Sequence, residues 1–319
     1  MFNLIYDPVT LYNKYNSTLI TGSEAEKLEK MLQKKYKKHL SFEDNGLTVY
    51  SKTENKIELS KGCQACKHGK WLCLFVGYNC NLQCNFCPQP KQSNFVNVFE
   101  DINLTSHGTI QELQYYLSVD KTIEGVSYSG GEPLLYFDKI ISLASFINKN
   151  CSPIYQWIYT NGTLLDEKKL KELQKVGINE IRFDLSATNF SEEIIEKISL
   201  TNKYIDRITV EIPAIPQIRS LINNNLLDKL VDLGVKQLNI SELTLTQEVN
   251  MEHYGRNTVL VAHKGFYKGL SLLESKFIYY EILEYAAEKK LNILINNCNS
   301  NSKFVQLANK QLNQKLYKN

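Results

Sequence analysis

From Trp71 onward the chain alternates β-prone runs with helix-prone ones, and this order restricts its fold more than any other feature. The strand candidates are Trp71–Val76, Gly125–Tyr128, Ile154–Thr160, Ile181–Ser186, Ile208–Ile212, Gln237–Ser241 and Leu291–Ile295. Helical periodicity fills the intervals. After Asp166, Leu170, Leu173 and Val176 form a stripe that stops at Gly177, and Leu226–Leu233 stops likewise at Gly234. Strand–helix–strand units of this length build parallel sheets. The expected fold is α/β, a partial or near-complete parallel (β/α) barrel with a small N-terminal extension.

The strands alternate in polarity. Ile181, Phe183 and Leu185 share one face, and Arg182, Asp184 and Ser186 the other. Thr209 and Glu211 oppose the apolar set of their strand, as do Gln237, Asn239 and Ser241. Strands of a parallel sheet buried on both faces are apolar throughout. Three strands with one polar face therefore predict a polar lumen able to hold a ligand, or faces turned to solvent.

Residues 1–60 read as an N-terminal helix with short strands, 61–300 as the barrel, and 301–319 as a helical tail. Ser23 with Glu26 fits a capping box that opens a Lys/Glu-rich helix to about His39. Short strands are expected near Leu47–Tyr50 and Lys56–Leu59. Residues 244–270 have weak periodicity and three glycines, which reads as a long loop or irregular insert, a candidate lid.

Of 319 residues, 43% are hydrophobic and 22% charged, an ordinary soluble composition. No run of 18 apolar residues suggests a membrane span, and the first residues lack the pattern of a signal peptide. A net charge of +3 is too small to argue for nucleic acid, and the basic run Lys34–Lys38 reads as a solvated helix face. Neither nucleic acid nor membrane is expected as a partner, and the expected location is cytoplasmic.

Eight cysteines carry the chemistry: Cys63, Cys66, Cys73, Cys80, Cys84, Cys87, Cys151 and Cys298. Disulfide frameworks belong to short secreted chains, so metal ligation in a reducing compartment is the better reading. Cys80, Cys84 and Cys87 form C-x3-C-x2-C. At this cysteine content the spacing arises by chance roughly 0.005 times per chain, so it is a signal. Three thiolates on one loop can bind three irons of a cubane cluster and leave the fourth open for chemistry, whereas structural zinc wants four ligands.

These residues resemble the signature of the radical S-adenosylmethionine superfamily, with Phe86 at the aromatic place before the last cysteine. Ser129-Gly130-Gly131-Glu132-Pro133, after the second strand, is similar to that family's GGEP motif, which binds the methionine amino group. A carboxylate suits an ammonium, and paired glycines let a backbone approach a ligand. Tyr159-Thr160-Asn161-Gly162 resembles the family's TNG segment, although an Asn-Gly turn explains it too. Asp184 and Ser186 lie where the family contacts ribose, and Glu211 and Asn239 project from the same expected lumen. The resemblance spans roughly residues 71–296. It implies a [4Fe–4S] cluster, S-adenosylmethionine, a one-electron donor such as flavodoxin or ferredoxin, and hydrogen-atom abstraction from a substrate.

Cys63 and Cys66 have the C-x2-C spacing of metal ligands. With Cys298 they suggest a second site for iron or zinc, to which Cys73 could contribute; free thiols or a redox pair are the alternative. Cys73 in an apolar strand also reads as core, and Cys151 as a packing residue. The cysteine-rich stretch is similar to a branch labelled predicted pyruvate formate-lyase activating enzymes. It is also similar to methanogen enzymes that modify methyl-coenzyme M reductase, where four cysteines bind a separate iron. Those carry a cobalamin region after the barrel, and only about twenty residues follow Cys298, so cobalamin is not expected.

Three functions fit. The first is a radical enzyme that modifies a peptide or protein, with Tyr254, Arg256, His263 and Tyr267 of the insert as substrate contacts or plain surface residues. The second is an activating enzyme for a glycyl-radical enzyme. The third is a non-catalytic metal-binding protein, against which the open three-cysteine motif joined to GGEP argues.

Overall fold

The computed structural model describes residues 8–42, 49–51, 57–89, 110–151, 153–263 and 269–316. The described strands are β1 (Thr18–Thr21), β2 (Leu40–Phe42), β3 (Val49–Ser51), β4 (Trp71–Gly77), β5 (Gly125–Gly130), β6 (Tyr155–Thr160), β7 (Glu180–Phe183), β8 (Arg207–Pro213), β9 (Gln237–Ser241), β10 (Thr244–Leu245), β11 (Val259–His263), β12 (Gly269–Leu272) and β13 (Leu294–Cys298). Seven of them run parallel in the order β4-β5-β6-β7-β8-β9-β13. Consecutive β4 to β9 are neighbours, each joined to the next by a helical crossover where the connection is described, as expected of βαβ units. Among the described residues β4 has no second sheet neighbour, so the barrel is open at that edge. At the opposite edge β3 pairs antiparallel with β13, and β2 with β3.

The sheet has two unlike faces. Ile181, Phe183, Ile208, Val210, Ile212, Leu238 and Ile240 belong to the apolar core shared with the outer helices. The polar set opposite is buried as well: Glu180, Thr209, Gln237, Asn239 and Asn296 are fully covered and Arg182 is 3% exposed. The polar faces therefore line a lumen and do not meet solvent. The helix Lys61–Lys67 closes its lower end, with Gly62 against Arg182, Trp157 and Glu180; a Cβ there would lie 2.7 Å from the guanidinium.

Several elements differ from the sequence expectation. Strand β7 stops at Phe183, because the Asp184 side chain accepts from Ser186 N and Ala187 N and caps a 3-10 turn, Leu185–Thr188. Strand β13 begins three residues late, after Lys290 ends the preceding helix with a left-handed backbone (φ 53°). The first capping box is Thr21 with Glu24, not Ser23 with Glu26. Both pairs fit the pattern; the end of β1 decides between them. Residues 57–59 form no strand, and 47, 48 and 56 lie outside the described residues.

The largest correction concerns the insert. Its described residues, 244–263 and 269–270, are not an irregular loop. They hold β10, the helix Glu248–Tyr254, β11 and the start of β12, and form a second sheet in the order β1-β11-β12-β10. Strand β1 runs parallel to β11, so the N-terminal extension and the insert share one sheet. The helix Ser300–Leu316 forms the tail and packs against Lys61–Lys67.

Candidate active site

At the C-terminal ends of the parallel strands lies a cavity of 340 Å³. Its wall brings together Cys80, Cys84, Cys87 and Phe86 of the loop after β4, Ser129 and Gly130 at the end of β5 with Gly131 just after it, Thr160 at the end of β6, Asp184 after β7 and Glu211 on β8. These residues come from five different strand ends, the usual location of a site in an α/β sheet.

The cysteine loop makes few backbone hydrogen bonds of its own, among them Cys87 N to Cys84 O. Its neighbours shape it. Gly131 N donates to Gly77 O (3.0 Å) and Glu132 N to Asn79 O (2.8 Å), so the loops after β4 and β5 cross backbone to backbone. A Cβ at Gly130 would run into Gly77 O, and one at Gly131 into Asn79 O. Gly130 also has φ 130°, a conformation L side chains avoid. The paired glycines are thus explained by this crossing of loops. Asn161 Nδ2 donates to Asn81 Oδ1 (2.9 Å) and Asn81 Nδ2 to Thr163 Oγ1 (2.8 Å), which ties the segment after β6 to the same loop.

Glu132 does not line the cavity. It is buried, and its carboxylate accepts from Thr160 Oγ1 (2.8 Å), Asn161 N (2.8 Å) and Leu134 N (3.0 Å). In this arrangement the carboxylate locks the loops after β5 and β6 together. Burial raises its pKa, and these hydrogen bonds oppose the rise.

Asp184 faces the cavity. Burial pushes its pKa up to about 7, against the stabilising N–H groups of Ala187 and Ser186, with Glu211 adding to the rise. Ser186 is not among the cavity residues, and its buried hydroxyl has no hydrogen-bond partner among the described residues. Glu211 accepts from Arg182 (2.9 Å) and Asn239 (2.8 Å), so its charge is compensated. Arg182 also binds Glu180 (2.9 Å) and stacks on Trp157 and Tyr159 at 4.9 and 5.4 Å. Asn239 lies deeper, hydrogen-bonded to Gln237, Asn296 and the Cys63 thiol.

Of the remaining cysteines, Cys63, Cys66, Cys73 and Cys298 lie on the lumen side. Cys63 Sγ accepts from Gln237 (3.2 Å) and Asn239 (3.4 Å), Cys298 Sγ accepts from Asn296 (3.1 Å), and Cys66 Sγ donates to Gln306 (3.3 Å). Burial pushes the Cys298 thiol up to about 12 and raises Cys66 well above the ordinary thiol range, each reinforced by neighbouring charge. Cys73 sits near Tyr159 on this side, not in the outer core. Yet among the described residues no three His, Cys, Asp or Glu side chains converge on one metal position, so the geometry gives the expected second site no support. A cubane cluster spreads its thiolates over three irons, so such convergence is no requirement for Cys80, Cys84 and Cys87. Cys151 ends the helix Phe137–Asn150 and packs against the core.

The described insert contacts expected from sequence do not line the cavity, although Tyr254 lies near Cys84. Tyr254 packs on the core, Arg256 stacks over Tyr15, and His263 bonds Ser271; none lines the cavity, and Tyr267 lies outside the described residues. Tyr159, Glu242 and Lys303 line it without having been singled out for it. Tyr159 continues the lumen face of β6 and so had a periodic signal, whereas Glu242 is out of step with Gln237, Asn239 and Ser241 and had none. Lys303, on the tail helix, had none.

Residues 74–212 match the family model described as the radical SAM superfamily. A Methanocaldococcus jannaschii protein named, provisionally, as a glycyl-radical enzyme activating enzyme is 31% identical over 205 residues, 61% of this chain and 53% of that one. An uncharacterised protein of the same organism is 36% identical over 116 residues, 34% of this chain and 38% of its own. The chain thus spans about half, or less, of these relatives. The crystal structure of Streptococcus suis SuiB bound to S-adenosylmethionine superposes with a TM-score of 0.52 over 75% of this chain and 53% of that one, at 18% identity. That likeness shows the fold: an α/β partial barrel with a seven-stranded parallel sheet.

Proposed function

The chain is a member of the radical SAM superfamily, and from that premise we propose that it abstracts a hydrogen atom from a polypeptide at the cavity described. The observation that carries this reading is the meeting of Cys80, Cys84 and Cys87 with Ser129, Gly130, Gly131, Thr160 and Asp184 on one wall. The donor set fits a [4Fe–4S] cluster, with three thiols on one loop and one iron left free of protein sulfur. Cys80, Cys84 and Cys87 would hold such a cluster, which, reduced by a flavodoxin- or ferredoxin-type donor, would supply the electron that splits S-adenosylmethionine into methionine and a 5′-deoxyadenosyl radical.

The chain's own residues do the rest. Glu132, buried, fixes the loops of Gly130–Gly131 and Thr160 against the cysteine loop, and so would hold the cofactor-binding segments in place beside a cluster bound there. Asp184 and Thr160 offer oxygens for cofactor hydroxyls. Arg182, with Glu180 and Trp157, fills the lumen below and denies water that route to the cavity. Beyond the cofactor groups the wall carries Leu82, Gln89, Ser241, Thr244 and Lys303, a mixture of aliphatic and hydrogen-bonding groups suited to a peptide.

A second reading, activation of a glycyl-radical enzyme, is favoured by the name of the Methanocaldococcus jannaschii relative. Both readings take hydrogen from a protein. Anaerobically reconstituted protein, incubated with S-adenosylmethionine and deuterated polypeptides, tests them. Deuterium in 5′-deoxyadenosine supports a polypeptide substrate, and a stable glycine-centred radical on the partner selects the second reading. Cleavage without deuterium transfer from any polypeptide fraction rejects both.

A further inference from the structure

The cysteine loop is braced from two sides by different parts of the chain. On the Cys80 side the braces come from the barrel: Tyr136 Oη accepts from Asn79 N (3.0 Å), and Asn81 bonds Asn161 and Thr163. On the Cys87 side they come from the insert. Asn250, in the first turn of the helix Glu248–Tyr254, is fully buried. Its Nδ2 donates to Asn85 O (2.6 Å) and Cys87 O (3.2 Å). Thr246 Oγ1 and Gln247 Nε2 both donate to Pro88 O, at 3.0 and 3.2 Å.

Four hydrogen bonds from one turn of the insert thus fall on three carbonyls at and beside the third cysteine. The donor turn is itself held rigid. Asn250 Oδ1 accepts from Thr246 N (3.2 Å) and Gln247 N (2.9 Å), so one amide serves two purposes: its oxygen shapes the turn and its nitrogen grips the loop. The turn follows directly on β10, which pairs with β12 in the insert sheet. Buried carbonyls need donors. With little secondary structure of its own, the loop takes its shape on this side from the insert.

We propose that Asn250, with Thr246, is a positioning residue for the iron–sulfur cluster. The insert is a clamp that fixes the Cys87 arm relative to the Cys80 arm, and so the distance between the third thiolate and the other two. This rests on the assignment of the cluster to Cys80, Cys84 and Cys87. A loop freed on this side keeps its three thiols but holds them less well, so the cluster is lost faster and its iron environment changes.

Asn250→Asp separates the two purposes of the amide. An aspartate retains oxygens for Thr246 N and Gln247 N, which also suits the start of a helix. It removes the donor and turns an oxygen toward Asn85 O and Cys87 O. Thr246→Val is nearly isosteric and removes only the bond to Pro88 O. The test uses the full chain, reconstituted anaerobically, with circular-dichroism melting of the iron-free protein as a folding control. The readouts are loss of iron to a chelator and the electron paramagnetic resonance spectrum of the dithionite-reduced protein.

The expected result for Asn250→Asp is iron loss about fivefold faster or more, the effect of forfeiting the net gain of one to two hydrogen bonds, with an altered spectrum. Thr246→Val shifts both readouts the same way by less, and carries the test by itself if the aspartate variant does not fold. Wild-type iron retention and an unchanged spectrum in the folded variants overturn the clamp while leaving the cluster assignment standing. Wild-type protein that takes up no iron overturns the assignment and the clamp with it.

Discussion

Asp184 shows how the fold sets the chemistry of one side chain. The sequence places it on a polar strand face, but its position as the cap of a 3-10 turn follows from Ser186 N and Ala187 N, which a strand would have turned to its neighbours. Burial raises its carboxyl to about 7 from an ordinary 3.8. A group whose folded-state pKa lies above its unfolded one stabilises the protein fully below the unfolded value and loses that contribution as pH rises through the folded one. Asp184 therefore weakens the fold between about pH 4 and pH 7, by up to about 4 kcal/mol. Urea unfolding of wild type and Asp184→Asn at pH 5 and pH 8 checks this. The variant gains stability relative to wild type on going to pH 8; a difference that does not change with pH contradicts the account. That Cys80, Cys84 and Cys87 meet Gly130–Gly131 at one cavity was legible because each motif is contiguous. Asn250 was not, because its partners lie 163 and 165 positions away and no local pattern marks it.

At the scale of elements, sequence patterns worked where one local force decides the outcome. Gly177 and Gly234 end their helices with φ 84° and 98°, as expected of residues that take a left-handed stop. They failed where partners are remote. Weak periodicity in residues 244–270 suggested a loop, because β10, β11 and β12 are short and β11 is completed by β1 from the far end of the chain. The crossing of the loops after β4 and β5 gives a sharp prediction. Gly130→Ala adds a methyl group against Gly77 O at a positive φ. The expected cost is about 1–3 kcal/mol of strain, concentrated at the site. Chelator-resistant iron in the variant should fall below half of wild type while the far-ultraviolet circular dichroism is retained. Full iron retention would show that the loops can separate without consequence.

For the whole molecule, the two sheets are joined by a buried ion network. Lys276 Nζ bonds Glu29 Oε2 (2.8 Å) and Glu242 Oε2 (3.4 Å), while Asn299 supports Glu29 and Ser271 and Ser300 N support Glu242. These residues come from the N-terminal helix, the end of β9, the helix Glu274–Glu288, the insert sheet and the start of the tail helix. Burial alone would raise the Glu242 carboxyl; the Lys276 ammonium and His263 hold it well below the usual range. Removing the lysine leaves two carboxylates without their cation, so Lys276→Met is expected to cost about 3–5 kcal/mol in urea unfolding. Adding Glu242→Gln should restore part of the loss. A loss under 0.5 kcal/mol would mean the sheets are held by apolar packing alone. The barrel itself was legible because its strands alternate with helices in chain order. The way the N-terminal extension, the insert and the tail close around it was not, because each is completed by a distant segment.

Everything proposed here depends on Cys80, Cys84 and Cys87 holding a cluster that cleaves S-adenosylmethionine. Iron and sulfide counting on the anaerobically reconstituted protein, followed by quantification of 5′-deoxyadenosine after reduction, tests it in wild type and Cys84→Ala. The account predicts about four irons and four sulfides per chain with steady 5′-deoxyadenosine formation in wild type, and none formed by the variant. A fully loaded wild type that forms no 5′-deoxyadenosine, or a Cys84→Ala protein that forms it at the wild-type rate, would contradict the claim.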